Sequence, residues 1–286
     1  MLMNEYCAKC LTDKWLGRCP ESADAAQAEE YKRRVRQIVL EAPEQSSPVK
    51  DYLLIQNYEA AFGEKVDYAP IKRHFNALLM EMWPGMAAEA DAAPDPLRRA
   101  VQYAMVGNFI DFSAMKSVDE SKLLQLLRDS EAMPIDETAL QALRREVMSA
   151  RTLLYLVDNC GEIVMDKVLM RTMGRLNPNL QITAMVHGLP IVNDATREDA
   201  EQVHLHEVAR VMDNGCGIAG FPMELVSAEA LKALEAADVS IAKGQANYET
   251  LCGCGRNLFY IFMCKCQLFM DRFGVRQYSG ILTSEQ

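Results

Sequence analysis

The chain has 286 residues, half of them hydrophobic and 24% charged, which are the proportions of a globular protein and not of a disordered or fibrous one. Its formal net charge of −10 argues against a nucleic-acid partner and against an anionic membrane surface, because both need a basic face. The N-terminus has no signal-like apolar run, and no stretch reaches the ~18 apolar residues of a membrane helix. A cytoplasmic location is therefore predicted.

The first half of the chain has a helical pattern up to about Met148, with apolar residues recurring at three- and four-residue spacing. Asp95 followed by Pro96 is typical of an N-cap with proline at the first helical position. Residues 1–148 are therefore predicted to form a mainly helical domain. Helix breaks are predicted at Pro43, Pro48, Gly63, Pro84 and Pro94.

In the second half, residues 149–286, short apolar runs alternate with amphipathic stretches. Strands that alternate with helices predict a parallel sheet, and runs that are apolar throughout indicate helices on both faces. The predicted strands are TLLYLV, LQITAMV, VARVMD, DVSIA and LFYIFMC. Because such sheets bind ligands at the carboxyl ends of their strands, the residues after each strand are the candidates for chemistry.

The first predicted strand leads directly into Asp158, Asn159 and, three residues later, Glu162. Two carboxylates and an amide in one strand-to-helix turn suit Mg²⁺ or Mn²⁺, and free N–H groups at the start of the next helix can receive phosphate oxygens. The alternative is that Asp158 or Asn159 only caps that helix, which would be the simpler explanation for an isolated pair.

Three further polar turns follow the next predicted strands. Asn193 and Asp194 precede a helix that opens at Thr196, and Asp213 leads into the glycine-containing loop NGCGIAGFP. Lys243 follows the fourth strand, where a lysine is an effective point charge for phosphate. Caps and solvated lysines explain most such residues singly, but four polar turns after four strands indicate one site.

Four segments resemble motifs of the damage-control phosphatases, a metal-dependent family long described only as a domain of unknown function. They are AMVGNFIDF, VDNCGEIVMD, GLPIVNDATREDA and ADVSIAKGQANYETL, and the CAKC pair resembles one branch of the family. The resemblance runs from near the N-terminus to the end of the chain. It implies a Rossmann-like three-layer α/β/α sheet domain over 149–286, a helical N-terminal domain, and metal-dependent hydrolysis of phosphate esters.

Carried over by position, the resemblance implies metal ligands at Asp158, Asn159 and Asp194, holding a divalent Mg, Mn, Co or Ni ion. Such a cation would polarise a phosphoryl oxygen and offset developing charge. Glu162 and Asp166 are the candidates for positioning the attacking water, and Glu162 is preferred because it is nearer the metal pair along the chain. Asp166 has the alternative interpretation of a solvated or capping residue.

The resemblance also implies residues that bind the substrate, expected to be a small phosphorylated metabolite such as a sugar phosphate or a damaged cofactor precursor. Lys243 would contact the phosphate, with Asn247 beside it, and Asn193 would adjoin the metal turn. Asn108 and Asp111 would reach the site from the helical domain. Pocket walls from that domain would decide which substrate fits.

Nine cysteines in a chain without an export signal indicate free thiols or metal ligands in preference to disulfides. Cys7 and Cys10 have the spacing of a zinc knuckle and are candidates for a second, soft metal; the alternative is a packing role. His187, His204 and His206 are interpreted as bystanders, because the proposed site already has oxygen donors.

Two other classes of function stay open. A non-enzymatic thiol- or zinc-binding module, or a nucleotide-binding module, would need the cysteine pairs and could dispense with the Asp158 turn, whereas a phosphatase requires the reverse. Methyl transfer would predict a glycine-rich first turn, which here carries only Gly161. The P-loop signature GxxxxGK[ST] and the nucleophile elbow GxSxG are absent.

Overall fold

The structure is a computed structural model that describes residues 1, 3–110 and 119–285. The first part is helical, with α1 Glu5–Leu16, α2 Ala25–Leu40, α3 Ser47–Phe62, α4 Ala69–Ala92, α5 Pro96–Gly107, α6 Glu120–Asp129 and α7 Glu137–Ser149. The second part comprises β1 Thr152–Leu156, α8 Glu162–Leu176, β2 Gln181–Val186, α9 Arg197–Gln202, β3 Arg210–Asp213, α10 Ala228–Ala236, β4 Val239–Lys243, α11 Gly244–Leu251, β5 Leu258–Met263, α12 Gln267–Phe273 and β6 Gly280–Glu285. Within these ranges, no helix is both long and apolar enough to cross a membrane.

The strands form one sheet in the order β3-β2-β1-β4-β5-β6. The first five strands are parallel, as predicted, and β6 pairs antiparallel with β5 at the edge. The order reverses between β1 and β4, and this reversal creates the crevice in which doubly wound sheets bind ligands. Strand β6 was not predicted; it lies at the sheet edge and is only partly buried.

Alternate residues of β1 face opposite sides of the sheet. Leu153 and Tyr155 pack in a core with residues of α4, α5, α7 and α8, whereas Leu154 and Leu156 pack in a second core with residues of α10, α11 and α12. Helices therefore cover both faces, and the predicted three-layer α/β/α architecture is confirmed.

The hydrophobic core does not divide at the predicted boundary between residues 148 and 149, although the secondary structure changes there. Helices α4, α5, α6 and α7 share one cluster of buried side chains with α8 and the sheet. Helices α1, α2 and α3 have a separate small cluster, which is built around Trp15 and Tyr31, and Val49 of α3 also packs against Cys216 and Ile218 after β3. Most of the helical part is thus packed directly on the layer that carries the candidate site.

The predicted start of α5 is confirmed, because the Asp95 side chain accepts a hydrogen bond from the Arg98 N–H and Pro96 is the first helical residue. The predicted helix break at Pro84 is wrong, since α4 continues through it to Ala92. Pro84 lies on the exposed face, while Ala87 on the following turn is buried in the core, so packing outweighs the local cost of proline.

Candidate active site

The candidate site lies at the crevice between β1 and β4. Asp158 follows β1, and Gly244 follows β4 with a positive φ of +79°. A Cβ on Gly244 would lie 2.0 Å from Asp158 Oδ2, so the backbone after β4 passes directly against this carboxylate. A side chain at position 244 would occupy the space of the Asp158 carboxylate.

Two side-chain amides lie between the carboxylates of Asp158 and Glu162. Asn108, at the C-terminal end of α5, donates from Nδ2 to Asp158 Oδ2 at 2.9 Å and to Glu162 Oε2 at 3.0 Å. Asn159 Nδ2 donates to the same two oxygens at 2.6 and 3.0 Å. All four residues are buried, so the positive ends of the amides partly offset two negative charges held close together.

The ammonium group of Lys243 offsets the negative charge of Glu162 and Asp166. Its Nζ lies 2.5 Å from Glu162 Oε1 and 2.8 Å from Asp166 Oδ1, and it donates to the Ala104 carbonyl at 2.9 Å. Burial acts to lower the pKa of Lys243, but the two carboxylates outweigh it and raise that pKa above its ordinary value. Burial raises the pKa of Asp166 to about 7, with Lys243 opposing the shift. The interpretation of Asp166 as a solvated or capping residue is wrong: it is fully buried and also accepts a bond from Tyr155 Oη.

The second polar turn lies directly beside the first. Asn159 and Asp194 form an isolated antiparallel bridge, and the Ala195 N–H donates to the Asp158 carbonyl at 2.7 Å. The structure thus brings together the turns that carry the three predicted metal ligands. That these residues bind a metal stays a prediction.

The predicted substrate-binding residues other than Lys243 are placed as follows. Asn193 is buried and donates to the Ile110 carbonyl at 3.3 Å, and Asn247 is buried and donates to the Lys243 carbonyl at 2.7 Å. Asp111 lies outside the described residues. Asn193 and Asn247 therefore stabilise backbone around the site, and the contact of these two residues and of Asn108 with substrate stays a prediction.

His187 belongs to the site, and its interpretation as a bystander is wrong. Its Nε2 lies 3.2 Å from Asp194 Oδ2, and its Nδ1 lies 3.3 Å from the amide nitrogen of Asn214. Burial, together with the charge of Lys72, lowers the pKa of His187 to about 4, so the ring is neutral. Because Nδ1 faces an amide donor, the proton lies on Nε2, the ring nitrogen that is near Asp194 Oδ2. The sequence feature that could have identified His187 is its position directly after β2, which corresponds to the position of Asp158 after β1.

The donor set fits a hard divalent cation. Asp158 and Asp194 supply carboxylate oxygens, and a half-turn of the Asn159 amide would present its oxygen in place of its nitrogen. No group of three or more His, Cys, Asp or Glu side chains in the described ranges is arranged to hold a metal. The predicted ligand set contains only two such side chains, Asp158 and Asp194, because its third member is the Asn159 amide.

The cysteines are all free thiols, as predicted. Cys7 and Cys10 lie on α1, where Cys7 is partly buried and Cys10 is exposed. Burial raises the pKa of Cys7, which disfavours the thiolate that a soft metal would need. Among the residues that the structure describes, no third His, Cys, Asp or Glu joins this pair in a possible metal site. A second metal on Cys7 and Cys10 stays a prediction.

The loop after β3 contains a GxGxxG spacing at Gly215, Gly217 and Gly220, but it lacks the context of a dinucleotide site. No helix opens on it, since α10 begins only at Ala228, and β3 lies at the edge of the sheet and not beside the β1–β4 crevice. Local backbone geometry and close packing explain the first glycine, because Gly215 has a φ of +74° and a Cβ on it would lie 2.8 Å from Ser227 Cβ.

The chain matches known proteins over nearly its whole length. The family described as "Damage-control phosphatase ARMT1-like domain" matches residues 3–281. A damage-control phosphatase of Archaeoglobus fulgidus is 30% identical over 280 residues, which cover 94% of this chain and 91% of that protein. An uncharacterized protein of Methanocaldococcus jannaschii is 35% identical over 193 residues, and damage-control phosphatase PH1575 of Pyrococcus horikoshii is 36% identical over 170 residues.

The last two alignments cover 66% and 58% of this chain and span less than two thirds of the relatives, 62% and 58% of their lengths. The crystal structure of a DUF89 family protein from Pyrococcus horikoshii superposes with a TM-score of 0.77, covers 100% of both chains and is 24% identical, which supports the fold. The resemblance recognised in the motifs is confirmed, and the chain belongs to the damage-control phosphatase ARMT1-like family.

Proposed function

We propose that this protein is a metal-dependent phosphatase of small phosphorylated metabolites, either sugar phosphates or damaged cofactor precursors. Family membership supports phosphatase activity, and two of the relatives are named damage-control phosphatases. The observation that carries the proposal is the buried cluster at the β1–β4 crevice, where Asp158 and Glu162 share two amide donors.

The metal ligands in this proposal are Asp158, Asn159 and Asp194. A bound Mg, Mn, Co or Ni ion would polarise a phosphoryl oxygen and offset the charge that develops during hydrolysis. His187 would restrict the position of Asp194, because its Nε2 lies 3.2 Å from one carboxylate oxygen. A partner of this kind orients a ligand and restricts its rotation.

Glu162 is assigned to orient the attacking water and to accept its proton. Its two oxygens are fixed from different sides, Oε1 by Lys243 and Oε2 by Asn108 and Asn159. A base held in this way is positioned before the substrate arrives. Lys243 stays a candidate for the substrate phosphate, but its three N–H donors have protein acceptors, so a phosphate oxygen would have to replace one of them.

A panel of phosphorylated metabolites, assayed with and without Mg²⁺, Mn²⁺, Co²⁺ or Ni²⁺, tests activity and substrate together. Phosphate release should require one of these ions and stop when a chelator removes it. Full turnover in excess chelator, after removal of the metal has been verified, would contradict the metal-dependent mechanism. The alternative, a non-enzymatic thiol- or nucleotide-binding module, predicts that the parent releases no phosphate from any substrate with any of these ions.

Thermal melts provide a test that does not depend on the substrate. The parent should gain about 2.7 kcal/mol of unfolding free energy when the metal is at a hundredfold excess over its dissociation constant. Asp158→Asn should gain much less, because it replaces a carboxylate ligand by a neutral amide. If the variant keeps the full metal-dependent shift, Asp158 is not a metal ligand and the metal site lies elsewhere.

A further inference from the structure

Helix α4 contacts both turns of the candidate site through two buried polar side chains one helical turn apart. Lys72 Nζ donates to the Asp194 carbonyl at 2.8 Å, and Asn76 Oδ1 accepts from the Gly161 N–H at 2.6 Å. Gly161 lies in the turn that follows Asp158. One helix of the first part of the chain is therefore bonded to the backbone of both turns that follow β1 and β2.

Asp199, on α9, joins these two side chains. Its Oδ2 lies 2.7 Å from Lys72 Nζ, and its Oδ1 accepts from Asn76 Nδ2 at 2.9 Å. Lys72, Asn76 and Asp199 are 8%, 0% and 3% exposed. A buried network with its partners satisfied fixes the geometry around it, and it becomes costly when one member is removed.

Apolar packing holds α4 on the same turn independently of these hydrogen bonds. Gly161 has a φ of +68°, and a Cβ there would lie 2.8 Å from Ile110 Cδ1, 3.1 Å from Phe75 Cβ and 3.3 Å from Leu79 Cδ1. Phe75 and Leu79 belong to α4, so the helix lies against the turn where only glycine fits. The closeness of this approach leaves little freedom for the backbone between Asn159 and Glu162.

We propose that Lys72, Asn76 and Asp199 form a clamp that positions the ligand-bearing turns and so sets the affinity of the metal site. The inference rests on the proposed function, because it takes Asp158, Asn159 and Asp194 as the metal ligands. The three clamp residues are positioning residues that act through backbone atoms. Partners in this position typically contribute a factor of 10 to 100 in metal affinity.

The test is calorimetric titration of the metal-free protein with Mn²⁺ at a temperature where every variant is folded. Lys72→Met removes the donor to Asp194, and Asn76→Ala removes the acceptor for Gly161. Each should weaken Mn²⁺ binding at least tenfold. Because both side chains bond the same Asp199, the double variant should lose less than the product of the two single losses.

Asp91→Asn is the matched control. Asp91 also lies on α4, and it pairs with Arg171 at 2.8 Å and with Arg175 on α8, away from both turns. This variant should bind Mn²⁺ with the parent's affinity, although it, like Lys72→Met, removes ion pairing between α4 and a neighbouring helix. Hydrogen exchange of the Gly161 amide in metal-free protein should accelerate in Asn76→Ala and not in Asp91→Asn.

The outcomes separate the clamp from the proposed function. A parent that binds no Mn²⁺ overturns both. A parent that binds Mn²⁺, with Lys72→Met and Asn76→Ala binding it equally well, overturns the clamp alone, and so does an equal loss in Asp91→Asn. If Asn76→Ala does not fold, the milder Asn76→Ser, whose shorter hydroxyl does not reach the Gly161 N–H, must still show the tenfold loss.

Discussion

Gly244→Ala is expected to disrupt the site through a single methyl group. The added Cβ would lie 2.0 Å from Asp158 Oδ2 and 2.3 Å from its Cγ. Ordinary van der Waals contact begins at 3.4 Å, so the carboxylate or the backbone would have to shift by about 1.4 Å. Asp158 has little room to retreat, because Asn108 and Asn159 bond the same oxygen.

Two effects of this substitution have to be separated. A left-handed backbone costs an alanine roughly 1–2 kcal/mol wherever it occurs. Gly274→Ala measures this cost alone, because Gly274 has a φ of +64° and no atom lies within 4 Å of its Cβ position. Any further loss in Gly244→Ala therefore comes from the displacement of Asp158.

Metal titration and phosphatase kinetics, together with urea unfolding, are the assays. Displacements of about 1 Å at a catalytic group can reduce turnover about a hundredfold, and we expect a loss of that order in Gly244→Ala. Gly274→Ala should keep the parent's metal affinity and turnover while losing stability. If Gly244→Ala also loses only stability, and by the same amount as Gly274→Ala, the Asp158 carboxylate has no role in metal binding or catalysis.

Three further substitutions test the charges around the site. Lys243→Met should lower the unfolding free energy in urea by about 3–5 kcal/mol, because it leaves Glu162 and Asp166 buried without their cation; a loss below 1 kcal/mol would contradict the ion pairs. The raised pKa of Asp166, about 7, means that the folded protein keeps a proton that the unfolded chain has lost, so its contribution to stability falls as pH rises from about 4 to about 7. Asp166→Asn should flatten this dependence of stability on pH in urea melts between pH 4 and pH 8. An unchanged slope would mean that another titratable group causes it. His187→Phe should weaken metal binding about tenfold, since it removes the imidazole nitrogen beside the Asp194 carboxylate, whereas parent-like affinity would return His187 to a packing role.

The sheet and the site turns could be predicted because their signals are local. Five apolar runs identified β1 to β5, and the polar residues after β1, β2 and β4 meet because parallel strands end at one edge. The continuation of α4 through Pro84 was not predictable in this way, since it depends on packing of the following turn against the core. Lys72 and Asn76 were missed for the same reason: they lie in an ordinary helical pattern, and only their contacts with Asp194 and Gly161 distinguish them.

The charges of the site show why an acidic protein with this fold would need a cation to bind a phosphate. Lys243 is the ammonium in the cluster, and it lies against Glu162 and Asp166. Even with Asp166 protonated, the two carboxylates of Asp158 and Glu162 carry more charge than the single ammonium of Lys243. The amide dipoles offset only part of this excess negative charge. A phosphate approaching this crevice would meet net negative charge in a buried setting, where repulsion is strong. A divalent cation on the Asp158 and Asp194 turns would offset that negative charge, which the lysine alone does not do.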